Sequence, residues 1–261
     1  MRNIRPYIAM RVYVIRAFFL IAIVVFGASS TANAAEIVVS AAASLSDAFR
    51  AIGKAFEKSH TGTTVTFNFA ASDVLLAQIA KGAPADVFAA ADDVSMDRAE
   101  REGLLLPGAR FDFAGNRLVL IVPPRAPAPA KLDELAFPRF GRIAIGSPRT
   151  VPAGRYAQAA LDRAHLWEKI ERRCVFALNV RQVLDYVARS EVDAGIVYAT
   201  DAAVALDKVK VVLDVPTAVP IRYPVAVLRA THHESDARAF AESLRGEAAR
   251  NILVAYGFAL R

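Results

Sequence analysis

Small residues and serines lie at positions where a predicted strand ends and a predicted helix begins. The segment "VSAAASLSDAF" ends an apolar run in three alanines and places Ser44 where helical spacing begins, and "TFNFAAS" places Ser72 in the same way. Further along, "VPAGRYAQAAL" and "NVRQVLDYV" each open a helix after an apolar strand. A helix N-terminus exposes unpaired N–H groups and about half a unit of positive charge. Four such termini aimed at one point would suit a tetrahedral dianion.

Local signals support these four helix starts. Ser44 and Asp47 have the spacing of a capping box, Pro152 suits a first helical turn, and Asn179 is a predicted N-cap. Small side chains would let an anion approach main-chain N–H groups closely. They are Ala42, Ala43, Ala70, Ala71, Ala153 and Gly154. A single helix start of this kind is usually structural, so the hypothesis depends on all four occurring together.

Strand-like and helical segments alternate along the chain, which predicts an α/β fold with a parallel sheet covered on both faces. Two strand-like segments, 114–124 and 222–228, are predicted crossings between lobes. We therefore expect a first lobe of residues 35–115 plus 225–261 and a second lobe of residues 116–224. The site would lie in the cleft between them, at the carboxyl ends of the strands.

Residues 1–34 have the pattern of a secretory signal peptide: a basic start, the apolar run "AFFLIAIVVFGA", and small residues at the cleavage spacing. Cleavage is predicted after Ala34, which would place the mature protein in the periplasm. A retained membrane anchor is the alternative, but the run is short compared with a span of about 20 residues.

Charge and cysteine content limit the possible functions. The chain has 32 basic and 26 acidic residues, and without the four arginines of residues 1–34 the excess falls to +2. This balance gives little support for nucleic acid as a partner, and we expect none. Cys174 is the only cysteine, so an internal disulfide is excluded. It is predicted to be a structural residue at the start of a strand.

Several motifs together resemble the periplasmic molybdate-binding proteins of ABC importers. They are "AAASLSDAF", "FAASDVLLAQIAKGAPADVFAAAD", "GNRLVLIVP", "VPAGRYAQAAL", "VRQVLDYV", "DAGIVYATDA" and "YPVAV". They occur in the order typical of that family and cover nearly all of residues 35–261. The resemblance implies a two-lobe periplasmic-binding-protein architecture of type II, or venus-flytrap fold, with two crossover strands and a cleft between the lobes.

The resemblance also implies a ligand and a set of contacts. Molybdate, and tungstate with it, would be held by the hydroxyls of Ser44, Ser72 and Tyr198 and by the main-chain N–H groups of Ala153 and Val180. No cofactor, free metal cation or catalytic residue is implied. The implied partners are an inner-membrane ABC permease and its ATPase, and the protein is expected to be a monomer.

Three charged residues lie beside these positions. Asp73 follows Ser72 where relatives often have serine or glycine, and we expect it to point along its helix start and offset the dipole. Arg155 and Arg181 are expected at the surface, although either could face the cleft.

Three alternatives stay open. A receptor for another oxyanion, such as sulfate, would share the fold and the mechanism. An enzyme is disfavoured, because the sequence has no Gly-x-Ser-x-Gly, His-Glu-x-x-His or phosphate-loop motif, and its four histidines lie in polar or loop segments. A cytoplasmic effector-binding module is disfavoured by the predicted signal peptide and by the lack of a DNA-binding segment.

Overall fold

Two β-sheets organise residues 35–260, the part of the chain that this computed structural model describes. The predicted signal peptide lies outside these residues. The strands are β1 (Ala35–Ala42), β2 (Thr63–Ala70), β3 (Val87–Ala89), β4 (Phe111–Asn116), β5 (Leu118–Val122), β6 (Ile143–Gly146), β7 (Cys174–Ala177), β8 (Ala194–Tyr198), β9 (Lys210–Val215), β10 (Ile221–Val227) and β11 (Ala259–Leu260). The first sheet has the order β11-β4-β10-β3-β1-β2, and the second has the order β7-β6-β8-β5-β9.

Helices connect most of the strands. They are α1 (Ser46–Ser59), α2 (Ser72–Ala80), α3 (Asp93–Arg101), α4 (Pro152–Arg163), α5 (Trp167–Ile170), α6 (Val180–Ala188), α7 (Ala199–Ala203), α8 (Glu234–Ser243) and α9 (Glu247–Ala255), with short 3-10 turns at Ala43–Leu45, Leu132–Ala136 and Glu171–Arg173. The prediction of an α/β fold is confirmed. We call β1–β4, β10, β11 and α1–α3, α8, α9 the first-sheet side, and β5–β9 with α4–α7 the second-sheet side.

The sheets are mixed, whereas the sequence predicted a parallel sheet. β1 pairs in parallel with β2 and β3, and β6 pairs in parallel with β7 and β8. β10 is antiparallel to β3 and β4, and β5 is antiparallel to β8 and β9. The antiparallel strands are those by which the chain leaves one sheet for the other and returns. A strand that arrives from the other sheet enters against the direction set by the strand–helix–strand units.

Two connections join the sheets. β4 ends at Asn116 and β5 begins at Leu118, so Arg117 alone separates strands of different sheets. The chain returns through residues 216–220, between β9 and β10. The predicted lobe boundary after Pro224 falls inside β10, so strand pairing assigns residues 221–224 to the first sheet. The predicted boundary divided the segment 222–228, whereas β10 (Ile221–Val227) pairs as one strand in the first sheet.

Helices start at the ends of four strands, as predicted, but one cap differs. α2 begins at Ser72, α4 carries Pro152 in its first turn, and the Asn179 side chain accepts a hydrogen bond from Gln182 N (3.0 Å) at the start of α6. The predicted capping box at Ser44 does not form. Ser44 lies inside a 3-10 turn, and α1 starts after Leu45 with no side-chain cap.

Buried apolar side chains fill the space between each sheet and its helices. Gly154 belongs to this packing and does not line the cavity described below: a Cβ there would lie 2.0 Å from the carbonyl oxygen of Gly146, so α4 could not pack so closely on β6.

Cys174 begins β7, as predicted, and burial raises the pKa of its thiol to about 11. Among the described residues, no helix has the length and hydrophobicity to cross a membrane.

Candidate functional site

The five predicted site residues line a single cavity between the two sides. It is bounded by Ala42, Ala43, Ser44, Ala70, Ala71, Ser72, Ala91, Val151, Pro152, Ala153, Asn179, Val180 and Tyr198. None of these thirteen residues has a charged side chain. The cavity is narrow, with a volume of about 10 Å³, roughly what one water molecule needs. In this arrangement the cavity is therefore smaller than a tetrahedral oxyanion, which has five heavy atoms.

Ser72 is oriented by the main chain of the first-sheet side. Ala91 N donates a hydrogen bond to Ser72 Oγ at 3.1 Å, and the serine is fully buried. Because an acceptor site of the oxygen is already used, the hydroxyl hydrogen remains for another acceptor. Ser72 can therefore donate into the cavity that it lines.

Ser44 is held by a side chain from a distant strand. Its Oγ lies 3.0 Å from the hydroxyl of Tyr223 on β10, and both residues are buried. The Tyr223 hydroxyl also accepts a hydrogen bond from Asn116 Nδ2 at 3.2 Å. Ser44 thus lines the cavity while being tied to β4 and β10, the strands next to the two connections between the sheets.

Tyr198 reaches across from the second-sheet side. Its hydroxyl donates to the carbonyl oxygen of Ala91 at 3.2 Å, and burial raises the pKa of this phenol well above its usual value, which keeps it neutral. In this arrangement its hydrogen is directed at Ala91. The resemblance implies that Tyr198 donates to an anion. For that, its hydrogen bond to the carbonyl oxygen of Ala91 must break.

Ala153 and Val180 present main-chain donors. Val180 is the first residue of α6 and Ala153 the second of α4. N–H groups at these positions have no acceptor within their own helix. Both residues are buried and line the cavity, and contact between their N–H groups and a ligand stays a prediction.

Arg155 on α4 bridges the two sides next to the cavity. It contacts Asp73 at 2.6 Å and Asp92 at 2.5 Å, both on the first-sheet side. Burial works to lower the pKa of Arg155, but the two carboxylates more than offset it, so the guanidinium stays charged. Asp73 lies in the first turn of α2, as predicted, and also accepts a hydrogen bond from Ser95 Oγ at 2.9 Å. The charge of Asp73 is thus paired with Arg155, which it shares with Asp92.

Arg181 on α6 makes a second bridge. It contacts Asp47 of α1 at 2.7 Å and Asp201 of α7 at 2.6 Å. Asp201 is fully buried, and burial raises the pKa of its carboxyl to about 6 despite the nearby guanidinium. The Nε–Oδ1 contact is poorly aligned for a hydrogen bond, so the attraction is mainly between the charges. The expectation that Arg155 and Arg181 lie at the surface was wrong, because carboxylates distant in sequence draw both inward.

Tyr223, Asn116 and Asp92 also lie at the site, although no role was predicted for them from the sequence. Tyr223 lies in the motif "YPVAV" and Asn116 ends the strand before a predicted crossing, so position at a crossing was the available signal. Asp92 follows the strand that ends at Ala89 and caps α3 by accepting from Ser95 N at 3.1 Å.

Within residues 35–260, no group of three or more His, Cys, Asp or Glu side chains could hold a metal ion.

Comparison with known proteins agrees with this geometry. A family model described as bacterial extracellular solute-binding protein matches residues 37–259. YvgL of Bacillus subtilis, named as an ABC transporter substrate-binding lipoprotein, is 36% identical over 247 residues, which cover 93% of this chain and 94% of the relative. The molybdate-binding protein ModA of Haemophilus influenzae is 36% identical over 238 residues, covering 89% and 93%.

A solved structure supports the same relationship. The periplasmic molybdate-binding protein of Azotobacter vinelandii superposes with a TM-score of 0.77 at 28% identity, covering 86% of this chain and 99% of that chain. The periplasmic-binding-protein architecture implied by the sequence resemblance is therefore confirmed. Because the family model spans almost all of the described residues and the relatives exceed 30% identity over most of both chains, the chain belongs to the bacterial extracellular solute-binding proteins.

Proposed function

We propose that this protein binds molybdate, and tungstate with it, outside the cytoplasm and delivers the anion to an ABC importer. The observation that carries the proposal is the uncharged cavity, in which hydroxyls of Ser44 and Ser72 and N–H groups of Ala153 and Val180 come from opposite sheets. Relatives named for molybdate binding support the choice of ligand. Tyr198 is proposed as a fifth contact.

Neutral donors suit a fully ionised oxyanion. Each donor requires an acceptor on the ligand, and every oxygen of molybdate or tungstate is one. A protonated oxyanion such as hydrogen phosphate would place a P–OH against a donor, and a buried mismatch of this kind costs about 1–3 kcal/mol, or one to two decades in affinity. Sulfate is also fully ionised, so cavity size and not hydrogen bonding must separate it from molybdate.

The role we propose is capture and delivery, not catalysis. Among the described lining residues there is no histidine, cysteine or carboxylate that could act as a nucleophile or general base. The proposed partners are a membrane permease and its ATPase, in line with the naming of YvgL for an ABC transporter. We further propose a periplasmic location, export by the signal peptide of residues 1–34, and a monomer with one site.

Titration calorimetry of residues 35–261 with molybdate, tungstate, sulfate and phosphate tests the proposal. We expect one molybdate per chain, similar affinity for tungstate, and much weaker binding of sulfate and phosphate. Tight sulfate binding with weak molybdate binding would contradict it and favour the sulfate receptor.

A further inference from the structure

We propose that Tyr223 and Asn116 form a hydrogen-bond relay that forces the Ser44 hydroxyl to act as a donor toward the bound anion, and thereby helps to reject protonated oxyanions. The inference rests on the proposed function, since it concerns how the same cavity selects its ligand. Tyr223 does not line the cavity, so it is a positioning residue that acts through Ser44.

The relay starts at a main-chain group whose direction is fixed. Arg117 N donates to Asn116 Oδ1 at 2.9 Å, which identifies that atom of the amide as the acceptor. The amide nitrogen must then supply both remaining contacts as donor. It donates to Thr200 Oγ1 at 2.9 Å and to the Tyr223 hydroxyl at 3.2 Å.

The direction of the next bond follows from this one. Tyr223 is fully buried, and its hydroxyl oxygen already accepts from Asn116. Within residues 35–260, the only acceptor found within hydrogen-bond distance of that hydroxyl is Ser44 Oγ, at 3.0 Å. A buried hydroxyl hydrogen without an acceptor is costly, so Tyr223 donates to Ser44.

Ser44 then has one orientation available. Its oxygen accepts from Tyr223, and its own hydrogen is left for the cavity. If Ser44 also accepted a hydrogen bond from a protonated ligand, its own hydrogen would have to point away from that ligand oxygen, and no other acceptor for it is found within residues 35–260. The relay therefore gives Ser44 the same fixed polarity that Ala91 N gives to Ser72.

The variant Tyr223→Phe removes the hydroxyl and keeps the ring. We expect molybdate affinity to fall by about 5- to 50-fold, because Ser44 can then turn away from the anion. Phosphate affinity should fall less or rise, so the ratio of molybdate to phosphate affinity should fall. Tyr186→Phe is the matched control: this half-buried tyrosine on α6 makes no side-chain hydrogen bond among those found, and its replacement should leave both affinities unchanged.

A double-mutant cycle with Ser44→Ala separates positioning from a general structural effect. If Tyr223 acts through Ser44, Tyr223→Phe will have little further effect on molybdate affinity in the Ser44→Ala background. An equal loss in both backgrounds, or an unchanged molybdate-to-phosphate ratio, overturns the relay. Should Tyr223→Phe fail to fold, Asn116→Leu replaces it, with a smaller expected fall in the ratio and an unchanged ratio again counting against the proposal.

The two proposals fail in different ways. Tight molybdate binding by the unaltered protein and by Tyr223→Phe alike overturns the relay and leaves the proposed function intact. No molybdate binding by the unaltered protein overturns the proposed function, and the relay falls with it.

Discussion

The two sides of the cavity offer hydrogen-bond donors of different kinds. On the first-sheet side the donors are the side-chain hydroxyls of Ser44 and Ser72, each oriented by a neighbouring donor. On the second-sheet side they are the main-chain N–H groups of Ala153 and Val180, set by the starts of α4 and α6. Tyr198 is the exception, a hydroxyl from the second-sheet side.

This difference predicts how each side tolerates mutation. A hydroxyl donor disappears when serine is replaced by alanine, whereas a main-chain donor survives every substitution except proline. The second-sheet side also supplies Arg155 and Arg181, which carry positive charge to carboxylates across the interface. Side-chain changes on that side should therefore affect stability before they affect ligand contacts.

The largest expected effect is the loss of Arg181. Replacing it by methionine leaves the fully buried Asp201 without its cation, and removing one partner of a buried pair costs about 3–5 kcal/mol of unfolding free energy. Arg155→Met is the matched variant. Its cost should be smaller, because Asp92 keeps a hydrogen bond from Ser95 N at 3.1 Å, whereas Asp201 keeps only a longer one from Tyr198 N at 3.3 Å. Urea unfolding measures both, and equal losses would show that the two bridges do not differ.

Proline at position 180 tests the main-chain donors directly. Val180 is the first residue of α6 and follows an extended Asn179, so proline fits the helix while removing the N–H. We expect molybdate affinity to fall by about 1–3 kcal/mol. Val180→Ala keeps the N–H and loses packing, and it should bind nearly as well as the unaltered protein. Similar affinities for the two variants in calorimetry would remove Val180 N from the site.

The pKa of Asp201, which burial raises to about 6 from an ordinary value of about 3.8, predicts a pH dependence of stability. Between pH 4 and pH 6 the carboxyl of Asp201 binds a proton more readily in the folded state than in the unfolded state. Its contribution to the free energy of unfolding therefore falls as the pH rises through this range, by on the order of 1 kcal/mol per pH unit. The difference in unfolding free energy between the unaltered protein and Asp201→Asn should show this slope. The exposed Asp207, replaced by asparagine, is the control. A flat difference would contradict the shift.

The smallest effect should come from Tyr198. Because its hydroxyl donates to Ala91 O, an anion must replace that bond and gains little from the exchange. Tyr198→Phe should therefore lower molybdate affinity by less than about 1 kcal/mol. A loss as large as that of Ser72→Ala would show that Tyr198 leaves Ala91 fully on binding, and would weaken the contrast between the two sides.

The parts of the site that depend on local sequence could be predicted. Pro152, Asn179 and Ser72 mark helix starts by rules that act within one turn, and the structure places them there. The capping box at Ser44 failed although its spacing was right, since a 3-10 turn intervenes before α1. Local pattern alone does not report that extra turn.

Long-range partners could not be predicted in this way. Arg155 meets carboxylates 63 and 82 positions away, and Tyr223 meets Ser44 across 179 positions. Nothing in the neighbourhood of these residues in the sequence indicates such pairings, which depend on how the two sheets face each other. The bridges and the relay become visible only in three dimensions.

Arg117 has a consequence for how the molecule can deform. One connection between the sheets is a single residue, and the other spans five. If one sheet rotates against the other, the backbone torsion angles at Arg117 must change. The longer connection, residues 216–220, can adjust over five residues. The main-chain N–H of Arg117 also donates to Asn116. The residue about which the sheets would rotate is therefore bonded to the first side chain of the proposed relay to Ser44.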